Sequence, residues 1–126
     1  MVKYLALLLL ILLTPSPARA EADITIRFGS YCCGTDVVLE DEIMEYLKFS
    51  REIRNWKKSE DRFGKEGEHN LEINLTPDAD AAMIYDDLRK MIPRYSDKAP
   101  TSIEGKGFAK FETGMSPPEK KKKVNE

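Results

Sequence analysis

The chain has 126 residues, of which 33% are charged, and its formal net charge is −2. This length is enough for one hydrophobic core but short for two domains. Its slightly acidic balance lacks the excess of basic residues that phosphate contacts require, so we predict no nucleic-acid partner.

The first twenty residues have the parts of a secretory signal peptide. Lys3 precedes an apolar run over residues 4–13, and Ala18-Arg19-Ala20 is a small-x-small cleavage sequence. An uncleaved anchor is the weaker alternative, because such a run covers about 15 Å as a helix, half of a hydrocarbon core of roughly 30 Å. We expect cleavage before Glu21 and an exported protein, periplasmic or secreted, with no transmembrane segment after cleavage.

Residues 116–126 form a basic tail that contains Lys120–Lys123 and almost nothing apolar. Such a tail is predicted to be disordered and solubilising, and contact with anionic lipid or an acidic partner is the alternative. Residues 21–115 remain as a single predicted domain. Removal of the first twenty residues leaves 18 Lys and Arg against 22 Asp and Glu.

The predicted domain begins with a strand and a helix. Ile24, Ile26 and Phe28 alternate with polar residues, which is typical of a half-buried strand. Residues 29–34 are predicted to turn, and Asp36 can cap the helix that follows. The expected buried stripe of this helix is Leu39, Ile43, Tyr46, Leu47 and Ser50, and its expected solvent face is Glu40, Asp41, Glu42 and Glu45.

Residues 51–58 are the most ambiguous segment of the chain. They could extend the first helix through Ile53 and Trp56, or they could form a second strand. We favour a strand, because a polar connection with two glycines, Gly64 and Gly67, leads to a clearly alternating strand from His69 to Leu75. This arrangement predicts a hairpin.

A second helix is predicted to begin at Thr76-Pro77-Asp78, with Asp78 and Asp80 available for capping. Its expected buried stripe is Ala81, Ile84, Tyr85, Leu88, Met91 and Ile92. Pro93 is expected to end the helix. Residues 105–113, with Phe108, Ala109 and Phe111, are the predicted last strand.

These elements follow the order strand, helix, strand, strand, helix, strand. We therefore predict an α+β fold of the ferredoxin-like, split βαβ type, with an antiparallel sheet and two helices on one of its faces. If residues 51–58 were helical, a three-stranded α/β sandwich would remain.

Cys32 and Cys33 are the candidate functional residues. They are the only cysteines, they are adjacent, and they lie in the turn before the first helix, where the helix dipole favours a thiolate. Because adjacent Cα atoms lie only about 3.8 Å apart, a disulfide between the two cysteines closes almost no loop and stabilises the fold little. Four states stay open: two thiols, a vicinal disulfide, bridges to another chain, or thiolates that hold a soft metal such as Cu(I) or Zn.

The signal for a metal site at Cys32 and Cys33 is weak, because two ligands do not complete a tetrahedral zinc site. His69, the only histidine, could add a ligand, but a strand-end position explains it better. No pattern for a hydrolase triad, a calcium loop or a phosphate-binding loop is present.

We predict no cofactor and favour a non-enzymatic exported binding or accessory module with a protein partner. The alternative is a thiol-based protein that binds metal or exchanges disulfides through Cys32 and Cys33. The sequence predicts neither the oligomeric state nor the identity of a partner.

Overall fold

Five antiparallel strands form one sheet in the computed structural model, which describes residues 21–60 and 66–114. The predicted signal peptide, residues 61–65 of the predicted hairpin connection and the predicted tail lie outside the described residues. The elements in chain order are β1 (Ile24–Phe28), α1 (Val37–Phe49), β2 (Ile53–Glu60), β3 (His69–Leu75), α2 (Ala81–Met91), β4 (Thr101–Gly105) and β5 (Phe111–Glu112).

The central strand, β1, has the alternation that the sequence predicts. Ile24, Ile26 and Phe28 are buried, and Thr25 and Arg27 lie on the other face. The apolar face packs against residues of both helices in one core cluster, because its burial removes apolar surface from water.

Helix α1 begins where the sequence predicts. The Asp36 carboxylate accepts a hydrogen bond from the backbone N–H of Leu39 at 3.1 Å, which satisfies one of the unpaired donors at the helix start. Ile43 and Leu47 continue the buried stripe as expected. The prediction that Glu40 faces solvent is wrong, because Glu40 is 6% exposed and contacts side chains of β2 and β3.

The ambiguous segment after α1 is a strand, so the helical alternative is wrong. Strand β2 pairs antiparallel with β3, and Trp56 lies opposite Ile73. Trp56 is half-buried and packs against the core. The two strands of the predicted hairpin, which precede and follow residues 61–65, are therefore confirmed.

Helix α2 begins later than its sequence predicts. Its N-cap is Asp80, whose carboxylate accepts from the N–H of Met83 at 3.1 Å. Thr76 instead closes a turn, because its carbonyl accepts from the N–H of Ala79. Thr76-Pro77-Asp78 thus fits a turn as well as a helix start, and the capping Asp80 fixes the boundary.

The predicted last strand at residues 105–113 contains the observed last strand, β5, but is much longer than it, and the sequence missed β4. Strand β4 lies earlier, with Thr101 and Ile103 buried against the core. The chain then reverses at Gly107, whose φ of +79° is in the left-handed region that favours glycine, and returns as β5. Phe108 and Phe111 favoured a strand at the later segment over one at β4. Phe108, however, lies between the two strands.

The α+β class is confirmed: one antiparallel sheet and two helices share a core. The sheet has five strands in the order β2-β3-β1-β4-β5, whereas four strands were predicted. Among the described residues, no helix is long and apolar enough to cross a membrane.

Candidate functional site

The loop between β1 and α1 carries both cysteines and is held at several points. The N–H of Gly29 donates to the Pro100 carbonyl at 2.8 Å. A Cβ atom at Gly29 would lie 2.9 Å from the Pro100 ring, so only glycine allows this close approach. Farther along, the N–H of Gly34 donates to the Ser30 hydroxyl at 3.1 Å, which closes a turn around the cysteines.

Cys32 and Cys33 are bonded to each other in a vicinal disulfide with Cα atoms 3.8 Å apart. Both residues are exposed. This is one of the four states considered from the sequence. The described residues contain no cluster of three or more His, Cys, Asp or Glu that could hold a metal ion, so the metal role stays a prediction that requires the reduced pair and a ligand from elsewhere.

Other exposed apolar side chains lie close to the disulfide in the sequence. Tyr31 precedes it, and Val37 and Val38 open α1 with 60% and 67% of their surface exposed. We call Tyr31, Cys32, Cys33, Val37 and Val38 the loop surface. Exposed valines cost solvation free energy that burial against another molecule would recover.

Acidic side chains border the loop surface on α1. Asp41, Glu42 and Glu45 are exposed, as predicted. Glu42 lies four residues after Val38, and Glu45 three residues after that, so these side chains share a helix face. The loop surface therefore combines an apolar centre with a negatively charged rim.

A buried charged cluster lies behind the loop. The carboxylate of Glu40 contacts the ammonium of Lys58 on β2 and lies 2.8 Å from Nε2 of His69 on β3. The ring of His69 also stacks on Phe28, with centroids 5.1 Å apart and planes inclined at 24°. Side-chain exposure is 9% for Glu40 and 14% for His69, so this contact is largely shielded from solvent.

Both ring nitrogens of His69 face oxygen atoms. Nδ1 lies 2.8 Å from the Gly67 carbonyl oxygen, and Nε2 faces the Glu40 carboxylate. An imidazolium can offer an N–H to each oxygen, whereas a neutral imidazole can donate to only one. Neither Nε2 nor Oε1 of Glu40 has a hydrogen bond of good geometry, so the contacts among Glu40, His69 and Lys58 are mainly electrostatic.

The sequence placed His69 correctly at a strand end but did not connect it to Glu40. A signal for that contact exists in the helix period. Glu40 precedes Ile43, Met44 and Leu47 by three, four and seven residues, which is the spacing of the buried stripe. Its acidic character and the neighbouring Asp41 and Glu42 made a solvent face look more plausible.

Two adjacent carboxylates on α2, Asp86 and Asp87, have local roles. Asp86 on α2 pairs with Lys90 at 2.7 Å, and the hydrogen bond from that ammonium is the main cause of the lowered pKa of Asp86. Asp87 accepts a hydrogen bond from the Tyr46 hydroxyl at 2.9 Å. These contacts explain both carboxylates without a ligand.

The other face of the sheet carries an open cleft of about 540 Å³ whose lining includes Thr25, Asn70, Glu72 and Glu104. Its lining is polar, and Lys57 neutralises Glu72 across the β2–β3 pair at 3.4 Å. Neither the cysteines nor His69 line this cleft. The β1–α1 loop remains the candidate functional site.

Searches against known protein families, curated proteins and solved structures found no match.

Proposed function

We propose that this chain is a non-enzymatic exported binding module that recognises a protein through the loop surface. The observation that carries the proposal is the exposure of Tyr31, the Cys32–Cys33 disulfide, Val37 and Val38 in one short stretch. A disulfide between adjacent residues replaces two polarisable thiols by a compact apolar group. The loop around it is fixed at Gly29 and Gly34, which reduces the conformational entropy lost on binding.

The rim of the loop surface indicates the chemistry of the partner. Asp41, Glu42 and Glu45 place negative charge beside the apolar centre, so the complementary segment has an apolar anchor flanked by Lys or Arg. Anchors of this kind bury their apolar part centrally and leave the charged groups at the edge, where they accelerate association.

The first test uses two synthetic peptides with the same Leu-Phe core, one flanked by lysines and the other by glutamates. In an NMR titration we expect the lysine-flanked peptide to bind more tightly and to shift the amide signals of residues 30–42. Replacement of Val37 and Val38 by Ser should weaken this binding at least about tenfold, because burial of one valine contributes about 1.5 kcal/mol or more.

Phe49→Ser is the matched control, since Phe49 is 81% exposed at the opposite end of α1 and the change should leave peptide binding intact. Equal affinity for the two peptides would refute the charge complementarity. Signal shifts centred on another surface would refute the site itself.

The second candidate function is thiol chemistry at Cys32 and Cys33. It is supported by the exposure of both residues, which gives an external thiolate access to either sulfur. Attack by such a thiolate would form a mixed disulfide with one cysteine and release the other as a thiolate. A reduced pair could instead ligate a soft metal such as Cu(I) or Zn.

The intact mass of protein recovered from the exported compartment, with and without an alkylating reagent, separates these roles. The binding role predicts a chain that begins at Glu21, carries the disulfide and takes up no alkyl group. Mixed disulfides, bound metal or two alkylated thiols would favour thiol chemistry. A chain that retains residues 1–20 would contradict the proposed signal peptide.

We also propose that residues 21–115 form a single domain of the ferredoxin-like type with β5 added at one edge, followed by a solubilising tail at residues 116–126. The antiparallel neighbours β2-β3-β1-β4 support this interpretation, because β1 and β3 lie at the centre and each helix links two strands that are not adjacent.

A further inference from the structure

The two ends of the β1–α1 loop are tied together by a residue outside it. Phe28 is the last residue of β1, and its ring stacks on His69. Glu40 lies in the first turn of α1, and its carboxylate faces Nε2 of the same His69 at 2.8 Å. One side chain from β3 therefore contacts the structure on both sides of the loop surface.

His69 is itself well fixed, which makes it an effective anchor. It lies opposite Phe28 on β1 and opposite Glu60 on β2 in the sheet register. Its Nδ1 lies 2.8 Å from the Gly67 carbonyl oxygen, and its ring stacks on Phe28, so the ring is fixed at one nitrogen and at one face. A ring fixed in this way holds the start of α1 at a defined place relative to the sheet.

The charges around His69 come from each neighbouring element. Glu40 faces the ring from α1, and Lys58 from β2 contacts the second oxygen of Glu40. Glu60 on β2 is the exposed cross-strand neighbour, while Glu68 precedes His69 on its own chain segment. Phe28 from β1 adds an uncharged face. Of the three acids around His69, Glu40 is the one that is buried.

We propose that the Glu40–His69 pair is a positioning device for the loop that carries the Cys32–Cys33 disulfide. It fixes the distance between the end of β1 and the start of α1 and so holds the loop surface in its binding arrangement. The inference rests on the proposed binding role for its biological meaning. The effect on the loop can be measured without any partner.

The test is amide hydrogen exchange by NMR on the full mature protein. The reporters are the N–H groups of Gly34 and Leu39, which donate to Ser30 and Asp36 inside the loop and the cap. We expect Glu40→Gln and His69→Phe each to lower the protection of these two amides by about tenfold, as befits loss of a close polar contact to a charged carboxylate. His69→Phe retains a ring against Phe28.

Glu72→Gln is the matched control, because it removes a carboxylate that pairs with Lys57 on the opposite face of the sheet. Its protection at Gly34 and Leu39 should equal that of the wild type. Unchanged protection in Glu40→Gln, or an equal loss in Glu72→Gln, would overturn the proposal.

Failure of the two proposals can be told apart. If peptide binding is absent but Glu40→Gln loosens the loop, the binding role fails and the positioning role stands. If the lysine-flanked peptide binds at the loop surface but Gly34 and Leu39 keep their protection in Glu40→Gln, the positioning role fails and the binding role stands.

Discussion

Glu40 is buried where its neighbours offer one cationic partner, Lys58, and a ring nitrogen of His69. A carboxylate without such partners would lose several kcal/mol of hydration free energy on burial. Lys58 and His69 approach it from two strands, so the charge is compensated where it lies. Removal of one partner leaves a buried charge with less compensation, which makes this cluster sensitive to single substitutions.

Tyr46 links the two helices and gives the protein an alkaline pH dependence. Its hydroxyl donates to Asp87 at 2.9 Å. Burial, followed by this hydrogen bond and the nearby negative charge of Asp87 and Glu52, raises the pKa of Tyr46 from 10.0 to about 12. The neutral phenol is therefore favoured in the folded state.

From this pKa shift we predict that the free energy of unfolding contains a contribution from Tyr46 that is fully present below pH 10. It should be lost as the pH rises from 10 to about 12, because ionisation of the unfolded tyrosine then favours unfolding. Urea titrations across this range should give a steeper decline for the wild type than for Tyr46→Phe. Identical slopes would contradict the assignment.

At the scale of the elements, capping residues define where helices begin. Asp80 caps α2 through the N–H of Met83, whereas Asp78 lies in the preceding turn. We predict that Asp80→Ala lowers the free energy of unfolding by about 1 kcal/mol, measured by urea denaturation. Asp78→Ala is the control and should have an effect below about 0.5 kcal/mol. A larger effect of Asp78→Ala than of Asp80→Ala would support the earlier helix start that the sequence predicts.

The sequence was most informative where one periodicity dominates. The alternation of β1 and the stripe Leu39, Ile43 and Leu47 identify both elements, since burial on one face requires these spacings. It was least informative where short-range signals compete. Strand β4 has only Ile103 as a large apolar residue, and its stability comes from pairing with β1, which no local pattern reveals.

The candidate site was also predictable only in part: local patterns identified the loop, but they did not identify its long-range contacts. The sequence predicts that Cys32 and Cys33 lie in the loop before α1, because a clear strand pattern precedes this loop and a clear helix pattern follows it. The contact between Glu40 and His69 could not, because it depends on how closely β3 approaches the first turn of α1. Contacts between residues far apart in sequence are set by the packing of whole elements.

At the scale of the molecule, one core joins all the major elements. We predict a single cooperative unfolding transition. Trp56 is the only tryptophan, and it lies on the edge strand β2, far from β4 in the sheet order. Its fluorescence and the far-UV circular dichroism should therefore give the same urea midpoint. An earlier fluorescence midpoint would mean that the β2–β3 hairpin unfolds separately.

The position of β1 at the centre of the sheet has a consequence for synthesis. Ile26 lies opposite Leu71 on one side and Ile103 on the other, and both partners follow it by much of the chain. A ribosome makes β1 first, yet neither of its edges can pair until β3 and then β4 have been made. The strand that is translated first thus gains its second neighbour only when β4 has been made, and a nascent chain that stops before residue 101 leaves β1 with an open edge.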